Sequence, residues 1–165
     1  MPNLDERILV LARTRGHAPD AERAVAAFSK LGEHSFAWLA IGAAGAALDG
    51  PRRGCWLRGL ATVAGAYVAN TAIKFAVRRP RPQLEDLPPL VGTPTGLGFP
   101  SAHTTTGFAG ALAFSRCGAP PAPLYALALG LSLSRLYLGV HHPSDLVAGA
   151  ALGTAVAAAA PALLP

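Results

Sequence analysis

Charged residues are scarce in this chain of 165 amino acids. Asp, Glu, Lys and Arg make up 14% of it, against about 25% in ordinary soluble domains, whereas 52% of the residues are hydrophobic. A soluble, alanine-rich helical protein is one interpretation, because alanine raises the mean hydropathy, which is +0.37. Long apolar segments, described below, favour a membrane protein instead.

Residues that could hold a metal ion are also few. The chain has nine carboxylates and two cysteines, and no carboxylates pair at ligand spacing around the candidate site described below. We therefore expect no metal and no other cofactor. Cys55 and Cys117 show neither ligand spacing nor a pairing pattern, so we expect both to pack near segment ends, in the core or at an interface.

The positive charge lacks the pattern of a nucleic-acid-binding protein. The formal net charge is +5, but the cations do not form a solvated stripe with interleaved aromatic residues. Several lie beside apolar segments, where anionic lipid and a phosphorylated substrate explain them better. We expect a lipid phosphate and membrane lipids as partners and no nucleic acid, and the sequence leaves the oligomeric state open.

The hydrophobic pattern predicts an all-α, single-domain protein over residues 1–165. Within residues 1–31, apolar side chains recur at helical spacing from Leu4 to Leu11, and Gly16 ends this first helix. A second amphipathic helix begins near Pro19 and ends near Gly32. Such helices fit the membrane interface, and they equally fit packing against the protein's own core. Residues 32–165 are predicted to form a transmembrane catalytic core.

Five apolar segments in this core predict about five transmembrane helices, near 34–49, 55–76, 101–117, 121–138 and 143–164. Some are shorter than the ~20 residues that cross a bilayer comfortably, a difference that local thinning could absorb. Gly149 and Gly153 share one helix face and would allow close helix packing. The link over 78–99 is rich in proline and glycine and cannot be a regular helix.

Three short motifs carry the chemistry. Successive spans alternate in direction, so the ends of the second and fourth segments and the starts of the third and fifth lie on one membrane face. The motifs there supply three cations, two histidines, a hydroxyl and a carboxylate, which suits binding a phosphoryl group, attacking it and protonating what leaves. They are Lys74-x6-Arg81-Pro82, Pro100-Ser101-Ala102-His103 and Ser134-Arg135-x5-His141-x3-Asp145.

Each residue type in the motifs has a physical role. His141 lies in a turn before a helix that Pro143 begins, and Asp145 could accept a hydrogen bond from its Nδ1–H, leaving Nε2 nucleophilic. His103 is free to act as a general acid. Ser101 is a good N-cap residue, and a helix start attracts anions. The side chains expected to neutralise phosphoryl oxygens are Lys74, Arg81 and Arg135.

Single residues in this region also allow plainer interpretations. A lone histidine in a helical protein is usually a surface or core residue, and Arg78 and Arg79 fit a positive flank of a membrane segment. Ionisable groups within a membrane, such as Lys74 and Arg135, are costly and tend to be functional. The occurrence of all three motifs on one face favours an active site.

Together the motifs resemble the signature of the type 2 phosphatidic acid phosphatase (PAP2) superfamily, shared with bacterial acid phosphatases and vanadium haloperoxidases. The resemblance covers roughly residues 32–160, and only Ala102 departs from the signature, where glycine is usual and a methyl group disfavours positive φ. It implies an acid phosphatase-like helical bundle and a metal-independent lipid phosphatase. It further implies that His141 is the nucleophile that forms a phosphohistidine, His103 the general acid and Asp145 the group that orients His141. The phosphate-binding residues that it implies are Lys74, Arg81, Ser101, Ala102 and Arg135.

A finer resemblance concerns the substrate. Gly32-Glu33-His34-Ser35, Gly92-Thr93-Pro94 and Phe99-Pro100-Ser101-Ala102-His103 look like the actinobacterial branch that dephosphorylates decaprenylphosphoryl-5-phosphoribose in cell-wall arabinan precursor synthesis. Alternative substrates are undecaprenyl pyrophosphate, phosphatidylglycerol phosphate and phosphatidate. Two alternatives belong to other classes: a haloperoxidase-like oxidoreductase that uses vanadate in the same cradle, and a non-enzymatic membrane scaffold.

We expect an integral protein of the bacterial plasma membrane. If the N-terminal helices do not span, the chain start and the active site share one face, and outside the motifs that face carries more cations than the other. The positive-inside tendency therefore favours a cytoplasmic active site, whereas the resemblance favours the outer face. The two sets are Arg7, Arg13, Arg15, Arg23, Lys30, Arg78 and Arg79 against Arg52, Arg53, Arg58 and Arg116.

Overall fold

The computed structural model describes residues 3–160, and within them the all-α prediction is confirmed. The β-pairing found in this part of the chain is a single isolated bridge between Pro80 and Leu97. Single 3-10 turns at Glu33–Ser35 and Gly50–Arg52 precede the third and fourth helices. The helices are α1 (Leu4–Thr14), α2 (Pro19–Lys30), α3 (Phe36–Leu48), α4 (Arg53–Val77), α5 (Ala102–Arg116), α6 (Pro121–Tyr137) and α7 (Pro143–Ala159).

Local sequence signals explain where four of the seven described helices begin. Asn3 and Glu6 form a capping box at the start of α1, and proline occupies the first turn of α2, α6 and α7, where its missing N–H costs nothing. All seven helices lie within a few residues of the predicted segments. Residues 161–164 of the last predicted segment lie outside the described residues.

One helical segment among the described residues, Gly50–Val77, is long and apolar enough to cross a membrane by length and composition. The prediction of five spans therefore stays a prediction. The shorter helices also carry exposed apolar side chains, including Phe36 on α3, Leu133 on α6 and Val147 on α7.

Helix α5 lies at the centre and packs against α4, α6 and α7. Its contact with α7 depends on the two glycines noted in the sequence. A Cβ at Gly149 would lie 2.8 Å from the Ser101 carbonyl oxygen, and one at Gly153 would overlap the Thr105 carbonyl oxygen. The two backbones therefore touch, and this contact holds the start of α5 against the start of α7.

The N-terminal helices pack on the core and also expose apolar surface. Helix α1 contacts α6 and α7, with Leu9 fully buried, while α2 contacts α6. Arg13, buried near the end of α1, donates to the carbonyl oxygens of Pro88 (2.8 Å) and Tyr137 (3.3 Å). Leu4 and Leu11 remain exposed, so both predicted environments are compatible with these helices.

The cysteines correct an expectation. Cys55 in the first turn of α4 and Cys117 at the end of α5 form a disulfide, with their Cα atoms 5.6 Å apart. Spacing alone could not reveal it, because the two residues are separated by 62 positions and meet only through the antiparallel packing of the helices. Cys117 is also part of the core, as expected. The disulfide lies at the end of α4 and α5 opposite to Lys74 and His103.

The link over 78–101 folds back on itself and so reaches the site. Arg78 adopts a left-handed conformation that ends α4. The chain then pairs with its own return segment, because the Arg81 N–H donates to the Gly96 carbonyl (3.0 Å) and the Gly98 N–H to the Arg79 carbonyl (2.8 Å). This pairing carries Arg81 from the end of α4 to the start of α7.

Candidate active site

A cavity of about 520 Å³ opens at the end of the bundle where α4 and α6 end and α5 and α7 begin. Its remaining walls come from residues 32–35, the last turns of α4 and the segment 92–95. Two predicted site residues, Ser101 and Asp145, are fully buried and do not line the cavity. The six predicted residues that do line it are Lys74, Arg81, Ala102, His103, Arg135 and His141.

The contacts of His141 fix where its proton is. Its Nδ1 lies 3.2 Å from Asp145 Oδ2, and Arg81 Nη1 lies 3.0 Å from its Nε2. An arginine can only donate, so Nε2 must accept and the proton of the neutral ring is on Nδ1. Burial lowers the pKa of His141 below its ordinary value, which keeps the ring neutral at neutral pH. The result is an unprotonated Nε2 at the cavity wall, whose lone pair accepts from Arg81.

Asp145 has a separate partner for each oxygen. Oδ2 also accepts from the His142 N–H at 2.9 Å, while Oδ1 accepts from Arg79 Nη1 at 3.0 Å. Arg79 Nη2 in turn lies 2.9 Å from Asp5 Oδ2 in helix α1. From the sequence alone, Arg79 is expected only as a membrane flank, and Asp5 carries no functional signal. No sequence signal connects them, because the partners lie 66 and 74 positions apart.

Lys74 and Arg81 bind the loop backbone. The ammonium group of Lys74 donates to the carbonyl oxygens of Leu97 (3.3 Å), Gly98 (3.3 Å) and Pro100 (2.9 Å). Arg81 donates to Thr95 O (2.8 Å) and Val140 O (2.7 Å) in addition to His141. These contacts bring two fixed cations to the cavity wall and hold the segment that leads into α5.

Ser29 of helix α2 contacts two of the predicted site residues, Arg135 and His103. Its hydroxyl accepts from Arg135 Nη1 at 2.7 Å, and its carbonyl oxygen lies 3.0 Å from His103 Nε2. A carbonyl oxygen can only accept, so His103 carries its proton on Nε2, the reverse of His141. Gly32 permits this contact, because a Cβ there would overlap the His103 ring. The sequence analysis did not identify Ser29, which is a small residue within an amphipathic helix.

The start of α5 differs in two details from the prediction. Ser101 occupies the N-cap position, but its side chain makes no capping hydrogen bond, and its N–H donates to the Asp145 carbonyl (3.0 Å). Ala102 begins the helix. Among the described non-glycine residues, positive φ occurs at His34, Ser35 and Arg78, so position 102 does not require glycine.

The donors around the cavity suit an anion. Three cationic side chains and three imidazoles line it, against one carboxylate, that of Glu33. Within residues 3–160 there is no group of three or more His, Cys, Asp or Glu side chains placed to hold a metal ion. Arg135 Nε is buried and has no acceptor among the described residues. A group with several negatively charged oxygens, such as a phosphoryl group, matches these donors.

Comparison with known proteins supports this interpretation. The model of the PAP2 superfamily matches residues 56–165. The decaprenylphosphoryl-5-phosphoribose phosphatase of Mycolicibacterium smegmatis is 46% identical over 126 residues, which cover 74% of this chain and 68% of the relative. The protein of the same name from Mycobacterium tuberculosis is 43% identical over 133 residues, covering 79% of this chain and 73% of the relative.

Two solved structures share the fold. One is a transmembrane PAP2-type phosphatidylglycerolphosphate phosphatase from Bacillus subtilis, with a TM-score of 0.74 and 23% identity over 93% of this chain and 80% of that one. The other is LpxE from Aquifex aeolicus, with a TM-score of 0.72 and 23% identity over 95% of this chain and 94% of that one. By family match, relatives and fold, this chain is a phosphatase that belongs to the PAP2 superfamily.

Proposed function

We propose that this phosphatase is an integral membrane enzyme that removes the terminal phosphate from a polyprenylphosphoryl-5-phosphoribose. The observation that carries the chemistry is the unprotonated Nε2 of His141 at the cavity wall. The ring is held there by Asp145, which accepts from Nδ1, and by Arg81, which donates to Nε2. The substrate class rests on the names of relatives that are 46% and 43% identical.

In the proposed first step, His141 Nε2 attacks phosphorus and the bond to the ribose oxygen breaks. The phosphoryl oxygens replace Nε2 as acceptors for Arg81, and Arg135 Nε gains the acceptor that it lacks among the described residues. Asp145 stabilises the positive charge that forms on the ring of His141. Lys74 adds a fixed positive charge to the cavity wall.

When the anionic phosphate is bound, His103 takes up a second ring proton. As this imidazolium it supplies the proton that the ribose oxygen needs as it leaves, and it remains as a neutral imidazole. In the second step it takes a proton from water, whose oxygen attacks the phosphohistidine and releases inorganic phosphate and free His141. His103 Nε2–H points at the Ser29 carbonyl, so proton transfer to substrate requires the ring to exchange that acceptor for the leaving oxygen.

The cavity offers a place for a lipid tail. Tyr67, Thr71 and Phe75 recur at four-residue spacing on one face of α4 and line the cavity. Tyr67 and Phe75 are also 37% and 58% exposed on the outside of the bundle. We infer that the phosphoribose enters the cavity while the prenyl chain lies along this face of α4, in contact with lipid.

We further propose that α3 to α7 all cross the bacterial plasma membrane. The outer faces of α3, α4, α6 and α7 expose apolar side chains, which suits lipid, and α5 lies among them. At ~1.5 Å per residue, 13- to 17-residue helices reach only ~20–26 Å, so bilayer thinning or polar flanks must absorb the difference.

The position of the disulfide supports a cytoplasmic active site. Cys55 and Lys74 lie near opposite ends of α4, a rise of ~28 Å, which is close to the thickness of the hydrocarbon core. Disulfides persist in oxidising compartments and are rare in the cytosol. The Cys55–Cys117 end of the bundle therefore fits the outer face, in agreement with the distribution of arginine and lysine.

A panel of purified lipids tests the proposed substrate. Phosphate release from decaprenylphosphoryl-5-phosphoribose, phosphatidate, phosphatidylglycerol phosphate and undecaprenyl pyrophosphate is measured with the wild-type protein and with His141→Ala, in the presence of EDTA. We expect the phosphoribosyl lipid to give the highest kcat/KM, no requirement for a divalent ion, and inhibition by vanadate. A higher kcat/KM for another lipid would contradict the proposed substrate, and bromide oxidation with vanadate would favour the oxidoreductase alternative.

A further inference from the structure

A hydrogen-bonded chain outside the cavity connects the N-terminal helix with the nucleophile. It runs from His141 Nδ1 to Asp145 Oδ2, from Asp145 Oδ1 to Arg79 Nη1, and from Arg79 Nη2 to Asp5 Oδ2, with each donor–acceptor distance between 2.9 and 3.2 Å. Arg79 and Asp5 do not line the cavity. Any influence they have on the reaction therefore passes through the start of α7, where Arg79 binds Asp145 and both residues bind Ser144.

Both carboxylate oxygens of Asp5 accept hydrogen bonds. Its Oδ1 accepts from the Ser144 N–H at 2.9 Å, and its Oδ2 accepts from the Ser144 hydroxyl as well as from Arg79. Partial burial acts to raise the pKa of Asp5, but the hydrogen bonds from Ser144 and Arg79 outweigh it and lower the pKa. Because Ser144 directly precedes Asp145, Asp5 fixes the first turn of α7 from outside.

The two ends of α1 are both attached to the catalytic end of the bundle. Asp5 in its first turn binds Arg79 and Ser144, and Arg13 in its last turn binds the backbone at Pro88 and Tyr137. Leu9 between them is fully buried. Helix α1 is thus a rigid base for Asp5.

We propose that Arg79 and Asp5 are positioning residues that fix the Asp145 carboxylate and, through it, the tautomer and orientation of His141. This inference rests on the proposed role of His141 as nucleophile. A buried carboxylate whose hydrogen-bond donors all lie on one oxygen, as those of Asp145 would without Arg79, can still rotate about its Cβ–Cγ bond. The Arg79 contact to Oδ1 prevents this rotation, keeps Oδ2 on His141 Nδ1–H, and offsets the charge of a side chain that is fully buried.

Arg79→Gln tests the proposal most directly. We expect kcat to fall about 10–100-fold while KM changes less than about threefold, because the phosphate-binding side chains remain in place. Arg79→Lys keeps the charge but has one nitrogen, which cannot reach both Asp145 and Asp5 as Nη1 and Nη2 of the guanidinium do. Its kcat should therefore lie between that of the wild type and that of Arg79→Gln. Inhibition by inorganic phosphate, which probes the cavity directly, should be unchanged in both variants.

Asp5→Asn provides a milder variant that decides the question if Arg79→Gln does not fold. It keeps an acceptor for the Ser144 N–H but loses the ion pair with Arg79, and we expect a smaller fall in kcat with KM unchanged. The double variant should be no slower than Arg79→Gln alone, because Asp5→Asn keeps the acceptor for the Ser144 N–H and removes only the contact that acts through Arg79. Matched controls are Arg78→Gln, at the exposed residue next to Arg79, and Asp20→Asn, at an exposed carboxylate in the first turn of α2. Both remove the same charge as the test variants and should keep wild-type kcat.

Three results would overturn the proposal: a raised KM with unchanged kcat, losses that multiply in the double variant, or equal losses in the controls. The test separates this inference from the proposed function. If His141→Ala keeps its activity, the proposed nucleophile is wrong; if it is inactive while Arg79→Gln and Asp5→Asn keep full activity, only the positioning role fails.

Discussion

The two histidines of the site hold their protons on opposite nitrogens. His141 donates from Nδ1 to Asp145 and presents Nε2 to the cavity, whereas His103 donates from Nε2 to the Ser29 carbonyl. Sequence could predict the first arrangement, because a four-residue spacing at a helix start brings Asp145 to His141. It could not predict the second, since Ser29 lies 74 positions away in an amphipathic helix. For the same reason Arg79 could not be distinguished from its exposed neighbour Arg78.

The assignment of His103 to leaving-group protonation predicts a dependence on the leaving group. His103→Ala should lower kcat on an alkyl phosphate about 10²–10⁴-fold, because an alkoxide leaves poorly without a proton. An aryl phosphate with an acidic phenol should lose much less in the first step. Rapid-mixing measurement of phenol release compares the two directly. Equal losses in the first step for both substrates would show that His103 has another role.

At the scale of helices, the site depends on how closely α5 and α7 approach. The sequence predicted the helix boundaries well because proline and glycine mark them, and it identified the glycine face of α7. The antiparallel pairing within 78–101 and the docking of α1 could not be predicted from the sequence. The first depends on backbone hydrogen bonds, and the second on side-chain contacts between distant segments. These contacts bring Arg81 and Arg79 to His141 and Asp145.

Gly153→Ala tests the α5–α7 contact. The new methyl group would overlap the Thr105 carbonyl oxygen, so we expect the free energy of unfolding to fall by about 1–3 kcal/mol and phosphatase activity to fall with it. Gly65→Ala is a matched control in α4, where a Cβ meets nothing within 4 Å and alanine favours the helix. Thermal unfolding in detergent measures both. Similar melting temperatures for the two variants would show that α5 and α7 do not touch as described.

At the scale of the whole molecule, the two ends of the bundle differ in their charge and in the state of their cysteines. The catalytic end carries the cations of the site and the N-terminal helices, and the other end carries the Cys55–Cys117 disulfide. The sequence predicted an uneven distribution of arginine and lysine but treated the cysteines as packing residues. Only the packing of α4 against α5 shows that they form a pair.

A cytoplasmic active site predicts which end an impermeant thiol reagent can reach in intact cells. With Cys55 and Cys117 replaced by alanine, a cysteine at the exposed position Glu85 should be labelled only after permeabilisation. A cysteine at Gly50, which is exposed near the opposite end, should be labelled without it. Labelling with the two positions reversed would place the active site outside and remove the support for a cytosolic phosphoribosyl lipid.

The central claim is that phosphate passes through His141. The most direct test is to mix the His103→Ala variant with an aryl phosphate carrying labelled phosphorus, quench under conditions that preserve phosphohistidine, and map the label by mass spectrometry. The account predicts nearly stoichiometric phosphate on His141, and no label and activity lower by several orders of magnitude in His141→Ala. Label on another residue, or near-normal turnover by His141→Ala, would contradict it.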